Sequence, residues 1–149
     1  MIETKKQQVK KFIGHHIGLT YKKLTEDFVK YMSPNGIQIT PQQFTTLARL
    51  NIEDGITQKE LADYLMKDYG SITRSLDGLE KRDWVKRQDS SEDRRTKLVF
   101  ITEQGRKIFN IVLPLQVERN KQLLNGISKK DFELLVNILA KVRENSNID

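Results

Sequence analysis

The chain has 149 residues, the size of one ordinary domain, with 37% hydrophobic and 31% charged residues and a formal net charge of +6. It contains no cysteine, which excludes disulfides, thiolate catalysis, cysteine-bound zinc and thiol redox sensing within it. No run approaches the roughly 18 apolar residues of a membrane span, and the start MIETKKQQVKK lacks the apolar stretch of a signal peptide, so a soluble cytoplasmic protein is expected.

In chain order, Val9, Phe12, Ile13, Ile17, Leu24 and Phe28 recur at helical spacing and predict a helix over residues 5–31. Gly14 and Gly18 share one face, which suits either close approach by another helix or a locally weak helix. Ser33-Pro34-Asn35-Gly36 stops it with turn chemistry. Thr40-Pro41-Gln42-Gln43 opens the next helix: Thr40 caps, Pro41 suits the first helical position, and Gln43 completes a capping box. Phe44, Leu47 and Leu50 face inward, and Glu53-Asp54-Gly55 ends the element. Thr57-Gln58-Lys59-Glu60 is a second capping box, opening a short helix with Leu61, Ala62 and Leu65 inward. After a break at Lys67-Asp68-Tyr69-Gly70, the spacing of Ile72, Leu76 and Leu79 predicts a helix over residues 70–82.

Trp84-Val85-Lys86-Arg87 and Lys97 to Ile101 read as paired strands, with only polar or charged residues from Gln88 to Thr96 between them. Thr102 caps a long helix with Ile108, Ile111, Val112, Leu115 and Leu123 on its apolar side. Pro114 lies in its interior and is expected to kink it. Asn125-Gly126 breaks the chain, and Ser128 caps a last helix carrying Phe132, Leu135, Ile138, Leu139 and Val142.

Two short helices across a tight turn match a helix-turn-helix, and the hairpin after them is its wing. The major groove of B-DNA admits one helix, and short polar side chains near that helix's start reach base edges and phosphates. The outward residues of the 70–82 helix include Ser71, Thr73, Arg74, Ser75 and Asp77. Arg74 suits a phosphate or a guanine edge. At the far end of the polar loop, Asp93-Arg94-Arg95 has no evident packing role; the plainer reading is a solvated turn with an internal salt bridge. Residues 1–30 carry seven Lys/Arg against three Asp/Glu, or +4, while residues 57–107 carry twelve against ten, only +2. DNA affinity would therefore come from the placement of a few cations rather than from a bulk field. A winged-helix module that binds protein without a specific DNA site is the alternative. No G-x-S-x-G, phosphate loop or histidine cluster suggests an enzyme, and no cofactor or metal is expected.

The segments Thr57 to Ala62, Ser71 to Arg74, Leu79-Glu80-Lys81, Trp84 to Arg87, Asp93 to Leu98 and Ile101-Thr102-Glu103-Gln104-Gly105-Arg106 together resemble the MarR family, the multiple antibiotic resistance regulators of bacteria and archaea. The resemblance covers nearly the whole chain. Its most specific part is the D-R-R wing followed by the T-E-x-G-R helix start. It implies a mainly α fold with a small β-wing, six helices plus a hairpin, as one domain over residues 1–149. Within it, residues 38–104 would form the winged helix-turn-helix, and residues 1–33 and 105–149 the helices of a homodimer. The implied function is that of a regulator, expected to be a repressor, which binds double-stranded DNA at a pseudo-palindrome and responds to a small aromatic or lipophilic effector.

By the same resemblance the DNA-binding residues are Ser71, Thr73, Arg74, Ser75, Arg94, Arg95 and Lys97. Arg95 would enter a minor groove, whose negative potential is enhanced where it is narrow. Asp77 and Asp93 would brace the wing, with Arg94 bridging to Asp77. The effector pocket, where the first, second and fifth helices meet, is assigned Phe12, His15, His16 and Phe44. The two histidines are adjacent on one helix and point about 100° apart, so they cannot share a metal. One departure stands out: Asp83 occupies the place where the family usually has glycine, between the recognition helix and the wing. Glycine there supplies a positive φ, which Asp tolerates better than most residues.

Overall fold

The computed structural model describes residues 5, 8, 10–91, 93 and 95–146. The chain divides into two compact units, Met1–Gln116 and Val117–Asp149. The helices are α1 (Ile13–Met32), α2 (Pro41–Ile52), α3 (Gln58–Tyr64), α4 (Tyr69–Glu80), α5 (Glu103–Leu123) and α6 (Lys129–Asn145). The strands are β1 (Ile56–Thr57), β2 (Val85–Asp89) and β3 (Lys97–Ile101), forming one antiparallel sheet in the order β1-β3-β2.

The helix starts follow their capping residues. The Thr40 hydroxyl accepts the Gln43 N–H at 3.2 Å, and the Gln43 side chain accepts the Thr40 N–H at 3.0 Å. Thr57 and Glu60 make the same reciprocal pair at 3.1 and 2.7 Å. Each satisfies two backbone donors that a helix start leaves unpaired. Helix α1 departs from its expected start. Lys5 and Gln8 are helical, but Lys10 and Lys11 form a turn and Phe12 is extended, so the expected continuous helix is interrupted before α1 starts at Ile13; Val9 of the apolar stripe lies outside the described residues. Helix α5 continues through Pro114 to Leu123.

The core of the first unit is built from the inward positions of every element. Leu47 and Leu50 of α2, Leu61 of α3 and Leu76 and Leu79 of α4 are fully buried beside Met32, Val99 and Val112. Each such side chain contributes about 1.5–3 kcal/mol by leaving water. No helix among the described residues is long and apolar enough to cross a membrane. In the second unit, α6 starts at Ser128, whose hydroxyl accepts the Asp131 N–H at 3.1 Å. None of its residues is buried, and Phe132, Leu134, Leu135, Val136 and Ile138 are all at least 40% exposed.

The sheet differs from the expected hairpin in two respects. Strand β1 adds a third member, Ile56 and Thr57 pairing with Val99 and Leu98. Strand β2 extends to Asp89, which pairs with Lys97 and shortens the intervening loop to residues 90–96. An opposite-charge pair facing across two strands stabilises that extension.

Asp83 joins α4 to β2 with a φ of +57°, so this side chain does occupy the left-handed conformation anticipated for glycine. Its carbonyl accepts the Thr102 hydroxyl, and the Thr102 hydroxyl accepts the Gly105 N–H at 3.0 Å. The start of α5 is thereby fastened to the α4–β2 junction. A Cβ on Gly105 would lie 2.0 Å from the Trp84 carbonyl oxygen, so only glycine lets the helix approach this closely. Gly105→Ala should lower stability by about 1–3 kcal/mol, the usual cost of overpacking. Asp83→Val should cost about 1–2 kcal/mol through the left-handed backbone, whereas Asp83→Gly should cost nothing. Urea unfolding midpoints of the three variants check both expectations.

Candidate nucleic-acid interface

Helix α4 is the second helix of the helix-turn-helix, and Asp68 caps its start. One Asp68 oxygen accepts the Ser71 N–H at 2.8 Å and the other the Ser71 hydroxyl at 2.5 Å. Those bonds hold the Asp68 carboxyl below its ordinary pKa. The backbone N–H of Thr57 does the same for Glu60 at the start of α3. Ser71 also accepts from Arg74 Nη2 at 3.2 Å. Thr73, expected to face outward, has its hydroxyl committed within the protein. It donates to the Tyr69 carbonyl at 2.9 Å and accepts from Gln58 Nε2 at 2.6 Å, with Gln58 only 3% exposed. Thr73 therefore ties α4 to α3. Ser75 is half-buried and Arg74 is exposed.

The link between α4 and the wing runs through Arg87 of β2, which the sequence reading had not singled out. Its backbone N–H donates to Glu80 at 2.9 Å and its Nε to Glu80 at 3.0 Å, while Nη2 reaches both Glu80 and Asp77 at 2.5 Å. The Glu80 carboxylate raises the guanidinium further above its ordinary pKa. Asp77 is thus bonded to strand β2 through Arg87. Arg94, the expected partner, lies outside the described residues.

At the wing tip, Asp93 organises its own turn. It accepts the Arg95 N–H at 2.9 Å and the Thr96 hydroxyl at 3.2 Å, and its carbonyl accepts the Thr96 N–H at 2.8 Å. An Asp that bonds the backbone two residues on is a turn former. With the Asp93 carboxylate committed to that turn, the exposed Arg95 guanidinium has no partner among the described residues. Lys97 pairs with Asp89 across the hairpin.

The four residues assigned to an effector pocket are not brought together within one protomer. Phe44 stacks on Phe109 with centroids 5.7 Å apart and lies 5.9 Å from Phe28. Those three rings fill the place where α1, α2 and α5 meet. Phe12, His15 and His16 are exposed at the start of α1, His16 accompanied by the Lys10 carbonyl at 2.7 Å. At about 1.5 Å per residue, the histidines sit about 18–20 Å along the helix from Phe28.

A recognition helix presenting an arginine, beside a wing presenting another, defines a winged helix-turn-helix of the DNA-binding class. The family model for MarR matches residues 39–97. The uncharacterised HTH-type transcriptional regulator YdgJ of Bacillus subtilis (strain 168) is 32% identical over 119 residues, covering 80% of this chain and 71% of that protein. A cysteine-to-serine mutant of MarR from E. coli, complexed with operator DNA, is 30% identical with a TM-score of 0.80, covering 87% of this chain and 92% of that one. The transcriptional repressor CouR, bound to a 23-mer DNA duplex, is 26% identical with a TM-score of 0.83, covering 95% and 99%. The chain belongs to the MarR family of transcriptional regulators, which are not enzymes.

Arg87→Met should lower stability by about 1–2 kcal/mol, because hydrogen bonds to charged groups contribute about 1.5–3 kcal/mol before solvent weakens them. Combined with Glu80→Gln, the loss should be less than the sum, since both substitutions break one network; denaturant unfolding of the cycle measures it. The capping carboxylates predict an acid response. Their folded pKa values are depressed, so the stability they add is present above their unfolded values and is lost as pH falls below about 4. Asp68→Asn, which keeps a capping oxygen, should flatten part of that decline in thermal midpoints measured from pH 7 to pH 3.

Proposed function

We propose that two copies of this chain form a cytoplasmic repressor that binds a pseudo-palindromic DNA operator, α4 entering the major groove and the wing the flanking minor groove. The observation that carries this reading is the pair of exposed arginines, Arg74 on α4 and Arg95 on the wing, presented by elements that Arg87 ties together. The operator-bound MarR and duplex-bound CouR structures support it. Residues 38–104 serve as the reading region within a single domain over residues 1–149.

The helices of residues 1–33 and 105–149 serve dimerisation. In each unit they expose apolar surface, with Ile13, Ile17, Leu24 and Val29 on α1 and Phe132, Leu135 and Ile138 on α6 all at least 40% exposed. Apolar patches of that extent mark interfaces. Arg74, Arg95 and Lys97 contact DNA, with Ser71 and Ser75 beside them and Thr73, Asp77 and Asp93 as supports. A small aromatic or lipophilic effector acts near the Phe28, Phe44 and Phe109 rings.

Sedimentation should show a dimer at micromolar concentration, and selection from a random duplex library should return half-sites about 10–10.5 bp apart, centre to centre. Arg74→Ala should weaken binding to the selected duplex by about 1–3 kcal/mol and relax base preference. Arg95→Ala should leave stability within about 0.5 kcal/mol, lower the salt slope by about two for the dimer, and flatten any preference for A·T-rich flanks. A monomer, or wild-type affinity and slope in both variants, would contradict the reading.

A further inference from the structure

Between the tip of the wing and the starts of α3 and α4 lies a cleft of about 180 Å³ whose lining includes Thr57, Lys59, Tyr69, Arg95, Thr96 and Lys97. At about 30 Å³ per water, it has room for a group the size of a phosphodiester. Three of these residues are cationic and none of the lining is acidic. Neither hydroxyl of the two threonines is free to donate. Thr57 donates to Glu60 at 2.8 Å and Thr96 to Asp93 at 3.2 Å. Lys97 is held by Asp89. By contrast, the Lys59 ammonium, the Tyr69 hydroxyl and the Arg95 guanidinium have no partner among the described residues. These solvent-facing donors sit on three different elements, α3, α4 and the wing. Tyr69 is 55% exposed, and Lys59 and Arg95 are exposed.

We propose that this cleft seats one backbone phosphate of bound DNA, held by Lys59 and Tyr69, beside the minor groove that Arg95 enters. The proposal rests on the operator reading above. If α4 occupies a major groove and the wing the adjacent minor groove, the strand separating those grooves must cross the space between α4 and the wing. That space is the cleft. A free anion would gain little there, because exposed charge pairs in water contribute only about 0–1 kcal/mol. A phosphate already brought into place by contacts on both sides costs no further translational freedom, so the same weak donors suffice. Lys59 and Tyr69 thereby act as positioning contacts for the backbone. They fix how deep α4 sits without reading a base.

The test uses the full-length protein and the duplex that wild type selects from a random library. Lys59→Ala should fold with the wild-type thermal midpoint and reduce the salt slope by about 1.8 for two contacts per dimer, so that its deficit changes about tenfold between 50 and 200 mM salt. Lys59→Arg should restore the slope. Tyr69→Phe should weaken binding about tenfold with the slope unchanged. Replacing one backbone phosphate per half-site by a neutral methylphosphonate, scanned along the duplex, should erase the Lys59→Ala deficit at a single position next to the wing-contacted minor groove. Selective binding with an unchanged Lys59→Ala slope, or a deficit that survives every methylphosphonate, overturns the phosphate seat while leaving the operator reading intact. A wild-type protein that selects no duplex overturns both.

Discussion

Arg87 is the contact on which the rest of the interface depends. A recognition helix and a wing can read neighbouring grooves only if the distance between them is held. Sheet and helix otherwise meet here through a turn at Asp83 and the burial of Val85 and Trp84 in the same core as Leu76 and Leu79. The guanidinium adds direction to that packing. It satisfies two carboxylates on successive turns of α4 and fixes the backbone of β2 through the Arg87 N–H. A planar fork suits this task better than an ammonium would, because its donors are already aligned.

The interface uses charge economically. The recognition region carries ten acids against twelve bases, which would leave little attraction for DNA if all were equally free. Six of the ten acids are committed: Asp68 and Glu60 cap helices, Asp77 and Glu80 hold Arg87, Asp89 holds Lys97, and Asp93 closes its own turn. Their charge is partly neutralised by backbone dipoles or by cations that are themselves structural. The remaining cationic heads, including Lys59, Arg74 and Arg95, are exposed. A modest net charge is therefore compatible with a focused positive face.

Much of the fold was legible because its signals are local. The capping boxes at Thr40 and Thr57 and the Ser128 cap involve residues three apart, and the inward stripe Ile72, Leu76, Leu79 repeats at helical spacing. Asp83 could be placed in a left-handed turn because the family resemblance marked that position. The misses have a common cause in sequence separation or brevity. Strand β1 is only two residues long and has no period to detect. The polar end of β2 looks like loop because its faces are solvated, and only its pairing with Lys97 makes it strand. Arg87 reads as one more charge in a strand until Asp77 and Glu80, ten and seven residues earlier, are folded against it. Thr73 shows the reverse error. Its period places it outward, yet the Gln58 side chain, fifteen residues away, captures its hydroxyl. Lys59 and Tyr69 join Arg95 only through the tertiary fold.

The central claim is that α4 and the wing engage DNA as one fixed unit. Hydroxyl-radical footprinting of the protein on its selected duplex tests it most directly, since cleavage reports access to the minor-groove face of each sugar. The account predicts two symmetric patterns. Each should have a protected minor-groove patch under the wing, on the outer side of a half-site, at a constant offset from the major-groove bases that α4 reads. Protection confined to the half-site centres, or spread evenly along the duplex, would contradict it.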